Sequence, residues 1–140
     1  MATIQRFEDL EIWQSAKVLY AKASILCEKL KAAKEYRFAE QMRSAAGSIM
    51  DNIAEGFERN SRLEFINSLS ISKGEAGELK SQLHRALIDK HINEREFTEL
   101  YELADTQTRK TASFIKCLNQ TTIKGLKLKE RSNSKANEKP

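Results

Sequence analysis

The sequence predicts an all-α protein: an up-down-up-down antiparallel four-helix bundle over residues 1–121, followed by a disordered basic tail over residues 122–140. The chain has 140 residues but only one proline, at its last position, and five glycines, so few residues are available to break helices or form hairpins. Four segments place apolar residues at alternating spacings of four and three, as buried helix faces require. Four such helices with short connections are typical of a bundle.

The first two helices follow directly from this spacing. The first has a predicted buried stripe at Ile12, Ala16, Leu19, Ala23, Leu26 and Leu30. The second has its buried row at Phe38, Met42, Ala45, Ile49, Asn52 and Gly56. Asn52 is the polar residue in that row and needs a partner if it is buried. The connection within residues 31–36 contains neither proline nor glycine, so it is either a short loop or a kinked continuation.

The third and fourth helices have recognisable starts. Ser61 with Glu64, and Asn93 with Glu96, fit the capping box, in which each side chain accepts a hydrogen bond from a backbone N–H at the helix start. The third helix then has its buried row at Phe65, Leu69, Ser72, Ala76, Leu79, Leu83 and Ala86. The fourth has its row at Phe97, Leu100, Ala104, Gln107, Thr111, Phe114 and Leu118.

The two cysteines are predicted to be free. Cys27 lies near the far end of the first helix, and Cys117 lies near the end of the fourth, at the opposite pole of an antiparallel bundle. At about 1.5 Å of rise per residue they are roughly 20 Å apart along the axis, beyond the reach of a disulfide. We expect two free, mostly buried thiols. Sparse cysteine, a start unlike a signal peptide and no membrane-length apolar run predict a cytoplasmic protein with no membrane contact.

The net charge of +4 is concentrated in the tail, where six basic residues outnumber two acidic ones. The bundle is therefore neutral and differs from a uniformly basic nucleic-acid-binding domain. The tail is either a solubilising end or an arm that contacts phosphates, and both interpretations stay open. The predicted phosphate contacts of such an arm are Lys124, Lys127, Lys129 and Arg131.

Several short runs resemble the four-helix-bundle proteins that are encoded in intervening sequences of bacterial 23S rRNA genes. These runs are Phe7–Gln14, Asn52–Phe57 with Arg59, Glu64–Phe65 and Glu78–Leu79. The resemblance implies a four-helix protomer, a ring-like homo-oligomer that is expected to be a pentamer, and association with RNA or DNA rather than catalysis. A related group comprises the accessory variability proteins of diversity-generating retroelements, which bind nucleic acid and a reverse transcriptase.

Gly47, Gly74 and Gly77 lie inside predicted helices. Each costs helix stability, about 1 kcal/mol relative to alanine, so we expect them to permit close approach of neighbouring helices. Glu75 follows Gly74 at a position where the family usually has serine. If this position packs between protomers, the carboxylate alters the contact.

A polar motif is predicted along the second helix. It consists of Arg43, Asn52, Glu55, Gly56 and Arg59. Separations of three, four and seven bring Asn52, Glu55 and Arg59 onto one helical face. This cluster is either a site or a structural feature in which Asn52 and Glu55 bond to the two arginines or to neighbouring helix ends. The second interpretation, a motif that fixes helix register or a subunit contact, is the one we expect.

A basic stripe is predicted on the third helix. Its members follow at intervals of seven, four and seven residues and are Lys73, Lys80, His84 and His91. Such a stripe would follow a phosphate backbone. The alternative is an ordinary solvated face, since Glu75, Glu78 and Asp89 lower the local potential.

We therefore expect a non-enzymatic, self-assembling protein that binds RNA or DNA through basic surface and tail residues. One alternative is a protein-interaction scaffold for a polymerase or another partner. A second is a ribonuclease of the HEPN class, because Arg85 and His91 have the spacing of its Arg-to-His motif, although Ala86 replaces the usual polar residue. No Glu-x-x-His pair, glycine-rich phosphate loop or Cys/His cluster occurs, so no metal or cofactor is predicted.

Overall fold

The computed structural model describes residues 4–120, which form an antiparallel four-helix bundle. A short 3₁₀ turn at Phe7–Asp9 precedes the helices, which are α1 (Glu11–Ala32), α2 (Tyr36–Glu58), α3 (Arg62–Ile88) and α4 (Glu94–Asn119). Each helix packs against the next along the chain, and α4 closes the bundle against α1. The predicted fold class is confirmed. None of these four helices is long and apolar enough to span a membrane.

The core forms where the alternating spacing places it. Every predicted stripe position of α1 and α3 is buried, whereas Asn52, Phe97 and Phe114 are half-buried. Phe65 joins three helices, since its ring lies edge-on to Phe57 of α2 at 5.9 Å and to Phe114 of α4 at 5.7 Å between centroids. Such aromatic pairs add to the stabilisation that burial alone provides.

Buried polar side chains fix the register of adjacent helices. Gln107 of α4 reaches α1, where its amide donates to the Ile12 carbonyl at 2.9 Å and its carbonyl accepts from the Ser15 hydroxyl at 2.6 Å. Ser72 of α3 donates to the Ile49 carbonyl of α2 at 2.7 Å. Because an unpaired buried polar group is costly, these bonds favour one alignment of the helices over a shifted one.

The loops after α1 and α3 have the same geometry, and neither contains glycine. Lys34 and Lys90 adopt positive φ angles of 65° and 62°. The following amides, of Glu35 and His91, donate back into the last helical turn, to the carbonyls of Leu30 and Ala86. This is the Schellman ending that glycine usually provides. The connection in residues 31–36 is therefore a short loop rather than a kinked continuation.

Only one of the two predicted capping boxes is complete. The side-chain oxygen of Asn93 accepts from the backbone N–H of Glu96 at 2.8 Å, and the Glu96 carboxylate accepts from the backbone N–H of Asn93 at 2.9 Å. Ser61 accepts from the Glu64 amide, but the Glu64 carboxylate pairs with the Arg59 guanidinium at 3.2 Å. A charged donor outcompetes a neutral backbone amide for that carboxylate.

The two thiols are both free, as predicted, but they differ in exposure. Cys27 is fully buried, and burial raises the pKa of its thiol. Cys117 is exposed, so the prediction that both are mostly buried is wrong for this residue. Leu118 occupies the buried face of the last turn of α4, which turns its neighbour Cys117 outward.

Candidate functional site

The predicted polar motif lies at the junction of α2 and α3. The Arg59 guanidinium bridges the carboxylates of Glu55 in α2 and Glu64 in α3, each at 3.2 Å. Hydrogen bonds to these two carboxylates raise the pKa of Arg59. Asn52 donates to the Ser48 carbonyl of its own helix at 2.8 Å. The arrangement connects consecutive helices, although its charged groups remain about half exposed and individually contribute little stability.

Gly56 makes the closest contact with a neighbouring helix of any glycine that the structure describes, and that helix is α3. A Cβ atom on Gly56 would lie 2.6 Å from the Ser68 Cβ and 3.0 Å from Cδ1 of Phe65. By contrast, nothing lies within 4 Å of such an atom on Gly74 or Gly77. Within the described protomer, residues 4–120, Gly74 and Gly77 face open space. The prediction that they let another helix of the protomer approach closely is therefore wrong.

Arg43 does not bond to the other members of the polar motif in the described structure. Its guanidinium reaches α1, where it donates to Glu28 at 2.7 Å, Ser24 at 3.0 Å and Tyr20 at 3.4 Å. The bond with Tyr20 is the main cause that raises the pKa of Arg43. Arg43 thus links α2 to α1, while Arg59 links α2 to α3.

The predicted basic stripe is divided between two places. Lys73, Lys80 and His84 lie on α3, but α3 ends at Ile88, so His91 lies beyond it in the loop to α4. There the His91 Nε2 atom is 3.4 Å from the Glu35 carboxylate. The prediction that all four residues lie along one helix is wrong for His91, because the chain turns at Lys90 to begin α4 from Asn93.

Three aromatic rings meet where α3 faces α4: His84 belongs to α3, and Phe97 and Tyr101 belong to α4. Phe97 and Tyr101 stack with 5.2 Å between centroids and 27° between planes. His84 contacts both rings, at 4.9 Å and 5.5 Å. The Lys80 ammonium lies 5.7 Å from the Tyr101 centroid and 3.2 Å from the Asp105 carboxylate. We call Lys80, His84, Phe97 and Tyr101 the α3–α4 aromatic surface.

Phe97 and Tyr101 are not among the residues that the sequence predicts for binding, since the apolar spacing predicts Phe97 in the core. The signal that could have found them is their i, i+4 spacing, which matches that of Lys80 and His84 on the adjacent helix. Acidic groups also lie on α3, and burial together with the neighbouring Glu78 raises the pKa of Glu75. Lys124, Lys127, Lys129 and Arg131 of the predicted arm lie outside the described residues.

The two residues of the HEPN-like spacing both contact the N-terminal end of α2. The Arg85 guanidinium lies 4.4 Å from the ring centroid of Phe38 in α2. His91 contacts Glu35 at the start of α2. Each side chain therefore has a structural contact of its own with α2 or its cap.

Both the fold and the sequence of this chain match known proteins. The described fold is similar to the crystal structure, at 1.70 Å resolution, of a protein of unknown function from the S23 ribosomal protein family of Bacteroides thetaiotaomicron VPI-5482. The TM-score is 0.72 at 24% sequence identity, and the match covers 75% of this chain and 98% of that chain, which shows a shared fold. No curated protein gives a significant match. The profile of the 23S rRNA-intervening sequence protein family matches residues 8–113, well over half of the chain, and the chain therefore belongs to that family.

Proposed function

We propose that this protein is a non-enzymatic, self-assembling protein of the cytoplasm that binds RNA or DNA through the α3–α4 aromatic surface, assisted by its basic tail. The observation that carries the proposal is the cluster of His84, Phe97 and Tyr101 rings beside the Lys80 ammonium. Proteins that bind single-stranded nucleic acid combine such rings with cations, because bases stack on the rings while phosphates meet the charges. Membership of a family named for an rRNA segment supports this class of ligand.

Charge explains why both parts are needed. Lys80 is countered by Asp105 at 3.2 Å, so the aromatic surface alone attracts phosphates weakly. Lys73 is exposed on the same helix, and the tail contributes the net positive charge of the chain. In a homo-oligomer, of which the pentamer is the form we propose, several tails act on one polymer, so individually weak contacts add through effective concentration.

The test is retention of the full chain on single-stranded RNA and DNA across a salt series. Tyr101→Leu should weaken binding by about 5- to 150-fold, the equivalent of about 1–3 kcal/mol for one stacked base. Tyr36→Leu is the matched control, because Tyr36 is an exposed tyrosine at the start of α2. Replacing Lys124, Lys127, Lys129 and Arg131 by glutamine should flatten the salt dependence, by about 0.7 in log–log slope for each phosphate of a single strand that a basic residue no longer neutralises.

The outcomes are distinct. Failure to bind either polymer at low salt refutes nucleic-acid binding. Binding that is equally reduced by Tyr36→Leu and Tyr101→Leu refutes the assignment to the α3–α4 aromatic surface. Salt-insensitive binding to a protein partner instead supports the scaffold alternative, and cleavage of RNA that His91→Ala abolishes supports the ribonuclease alternative.

A further inference from the structure

The outward face of α3 carries a continuous exposed stripe that the fold of one protomer leaves largely uncovered, although His84 at its edge also contacts Phe97 and Tyr101 of α4. The stripe follows alternating spacings of four and three, and its eight members are all exposed. We call it the outer stripe of α3: Leu63, Asn67, Ser70, Gly74, Gly77, Ser81, His84 and Ile88. It lies opposite the fully buried row of the same helix, which includes Phe65, Ser72, Leu79 and Ala86. One face of α3 is therefore packed and the opposite face is free for a partner.

Two observations indicate that the partner is another helix. Gly74 and Gly77 weaken the middle of α3, and nothing lies within 4 Å of where their Cβ atoms would be, so the protomer gains no packing from them. At the ends of the stripe, Leu63 and Ile88 are 69% and 74% exposed. Small residues in the centre permit close approach of two helix axes, and large apolar residues at both ends then cover one another.

The residue types of the outer stripe are symmetric about a point between Gly74 and Gly77. Leucine at one end corresponds to isoleucine at the other, Asn67 to His84, Ser70 to Ser81, and glycine to glycine. An antiparallel pair of identical helices brings these corresponding positions into the same layers. A two-fold contact uses the same patch on both copies, so it requires a patch that is complementary to itself in this way.

Charges on the flanks fit the same arrangement. On the α2 side, Glu64 of one copy and Arg85 of the second differ in height by about 3 Å at 1.5 Å of rise per residue. Both are exposed, so Glu64, which Arg59 of its own copy contacts at 3.2 Å, would gain Arg85 of the second copy as a further cationic neighbour at two symmetric positions. On the α4 side, Lys73 comes near Lys80 of the second copy, whose charge Asp105 already counters at 3.2 Å.

We infer that a second copy of this chain docks on the outer stripe of α3, with the two α3 helices antiparallel about a two-fold axis between Gly74 and Gly77. This contact goes beyond the proposed nucleic-acid binding and is separate from the contact that closes the proposed ring. A ring closed by one head-to-tail contact does not need it, so the two-fold contact pairs single copies or whole rings into even-numbered particles. One helix from each copy makes a small interface, which predicts association in the micromolar range.

The first experiment measures the mass of the full chain by sedimentation velocity from about 1 to 200 μM, a range that spans weak association. Gly77→Leu adds a side chain into open space in the protomer but into the centre of the two-fold contact, so it should weaken association by at least about 100-fold. Ala21→Leu adds similar bulk at an exposed position of α1 and should leave association unchanged. Circular dichroism verifies that both variants keep the helical fold.

The second experiment tests direction and register, in a Cys117→Ser background because Cys117 is exposed. Under mild oxidation, a mixture of Ser70→Cys and Ser81→Cys chains should form mixed dimers, whereas each variant alone should not, because its own thiols are about 16 Å apart in height. Three results would each overturn the inference. In the cross-linking experiment, the result is a disulfide between two Ser70→Cys chains. In the sedimentation experiment, the results are a monomer throughout the concentration range, or an odd-numbered particle that Gly77→Leu leaves intact. A variant that loses RNA retention while the particle keeps its mass bears on the α3–α4 aromatic surface and not on the two-fold contact.

Discussion

Gly56→Ala is the substitution whose effect the packing of α2 against α3 determines most directly. The added Cβ atom would lie 2.6 Å from the Ser68 Cβ and 3.0 Å from the Phe65 ring. Phe65 is completely buried and Ser68 nearly so, which leaves neither side chain free to retreat. Overpacking of this kind costs about 1–3 kcal/mol, and the better helix propensity of alanine returns at most about 1 kcal/mol. We expect the free energy of unfolding to fall by about 1–2 kcal/mol.

Gly47→Ala is the matched control within the same helix. Its Cβ would lie 3.6 Å from the Tyr20 ring, which is an ordinary van der Waals contact. Only the gain in helix propensity remains, so this variant should be more stable than the wild type by about 0.5–1 kcal/mol. Urea denaturation followed by circular dichroism, at two protein concentrations, measures both changes.

The double variant Gly56→Ala with Ser68→Gly isolates the cause. Removing the Ser68 side chain makes room for the new methyl group, so the two substitutions together should cost less than the sum of their separate effects. If Gly56→Ala proves as stable as Gly47→Ala, or if the two effects simply add, then α3 does not approach α2 at Gly56 as described and the reasoning is refuted.

Three further predictions follow from single contacts. Lys90→Gly should stabilise the fold by about 1 kcal/mol in urea denaturation, because φ is 62° there; Lys29→Gly, inside α1, should destabilise it. Gln107→Leu should cost about 1–3 kcal/mol, since two hydrogen bonds to α1 are lost and the Ser15 hydroxyl keeps only its 3.2 Å contact with the Ile12 carbonyl; an unchanged urea midpoint contradicts this. The hydrogen bond from the backbone N–H of Asn93 lowers the pKa of Glu96. The stability that this bond contributes is therefore present above the usual pKa of 4.5 and is lost as the pH falls through the lowered pKa. Glu96→Gln should therefore lose less stability in acid, measured by urea denaturation at pH 6 and pH 3.

The sequence determines the helices more completely than it determines the loops. The alternating spacing of apolar residues locates the buried faces of all four helices, because a helix can bury only one side. It does not reveal the turns at Lys34 and Lys90, since lysine is an unusual residue for a positive φ angle. His91 shows the consequence: a spacing of seven from His84 suggests one helical face, but the turn at Lys90 removes His91 from the helix.

Glycines show most clearly what sequence leaves open. Gly56 and Gly77 both follow an acidic or small residue inside a helix, yet the first packs against Phe65 and the second faces open space. A residue without a side chain carries no information about what approaches it, because the approaching group belongs to another segment or another copy. The ring cluster of the α3–α4 aromatic surface is only partly visible in the sequence: the i, i+4 spacing of Phe97 and Tyr101 can be read there, but which flank of α3 lies beside α4 cannot.

Pairing through α3 would also change the charge that nucleic acid meets. In an antiparallel two-fold pair, the α4 sides of both helices lie on the same side of the contact. Lys73 and Lys80 of the two copies then form one row of four ammonium groups that is about 14 Å long at 1.5 Å per residue. Asp105 counters each Lys80 at 3.2 Å, so the local excess of positive charge that the pair would gain comes from bringing the two Lys73 groups together. Gly77→Leu should therefore weaken both association and RNA retention, while Ala21→Leu alters neither; weakened association with undiminished retention would show that the row is not used.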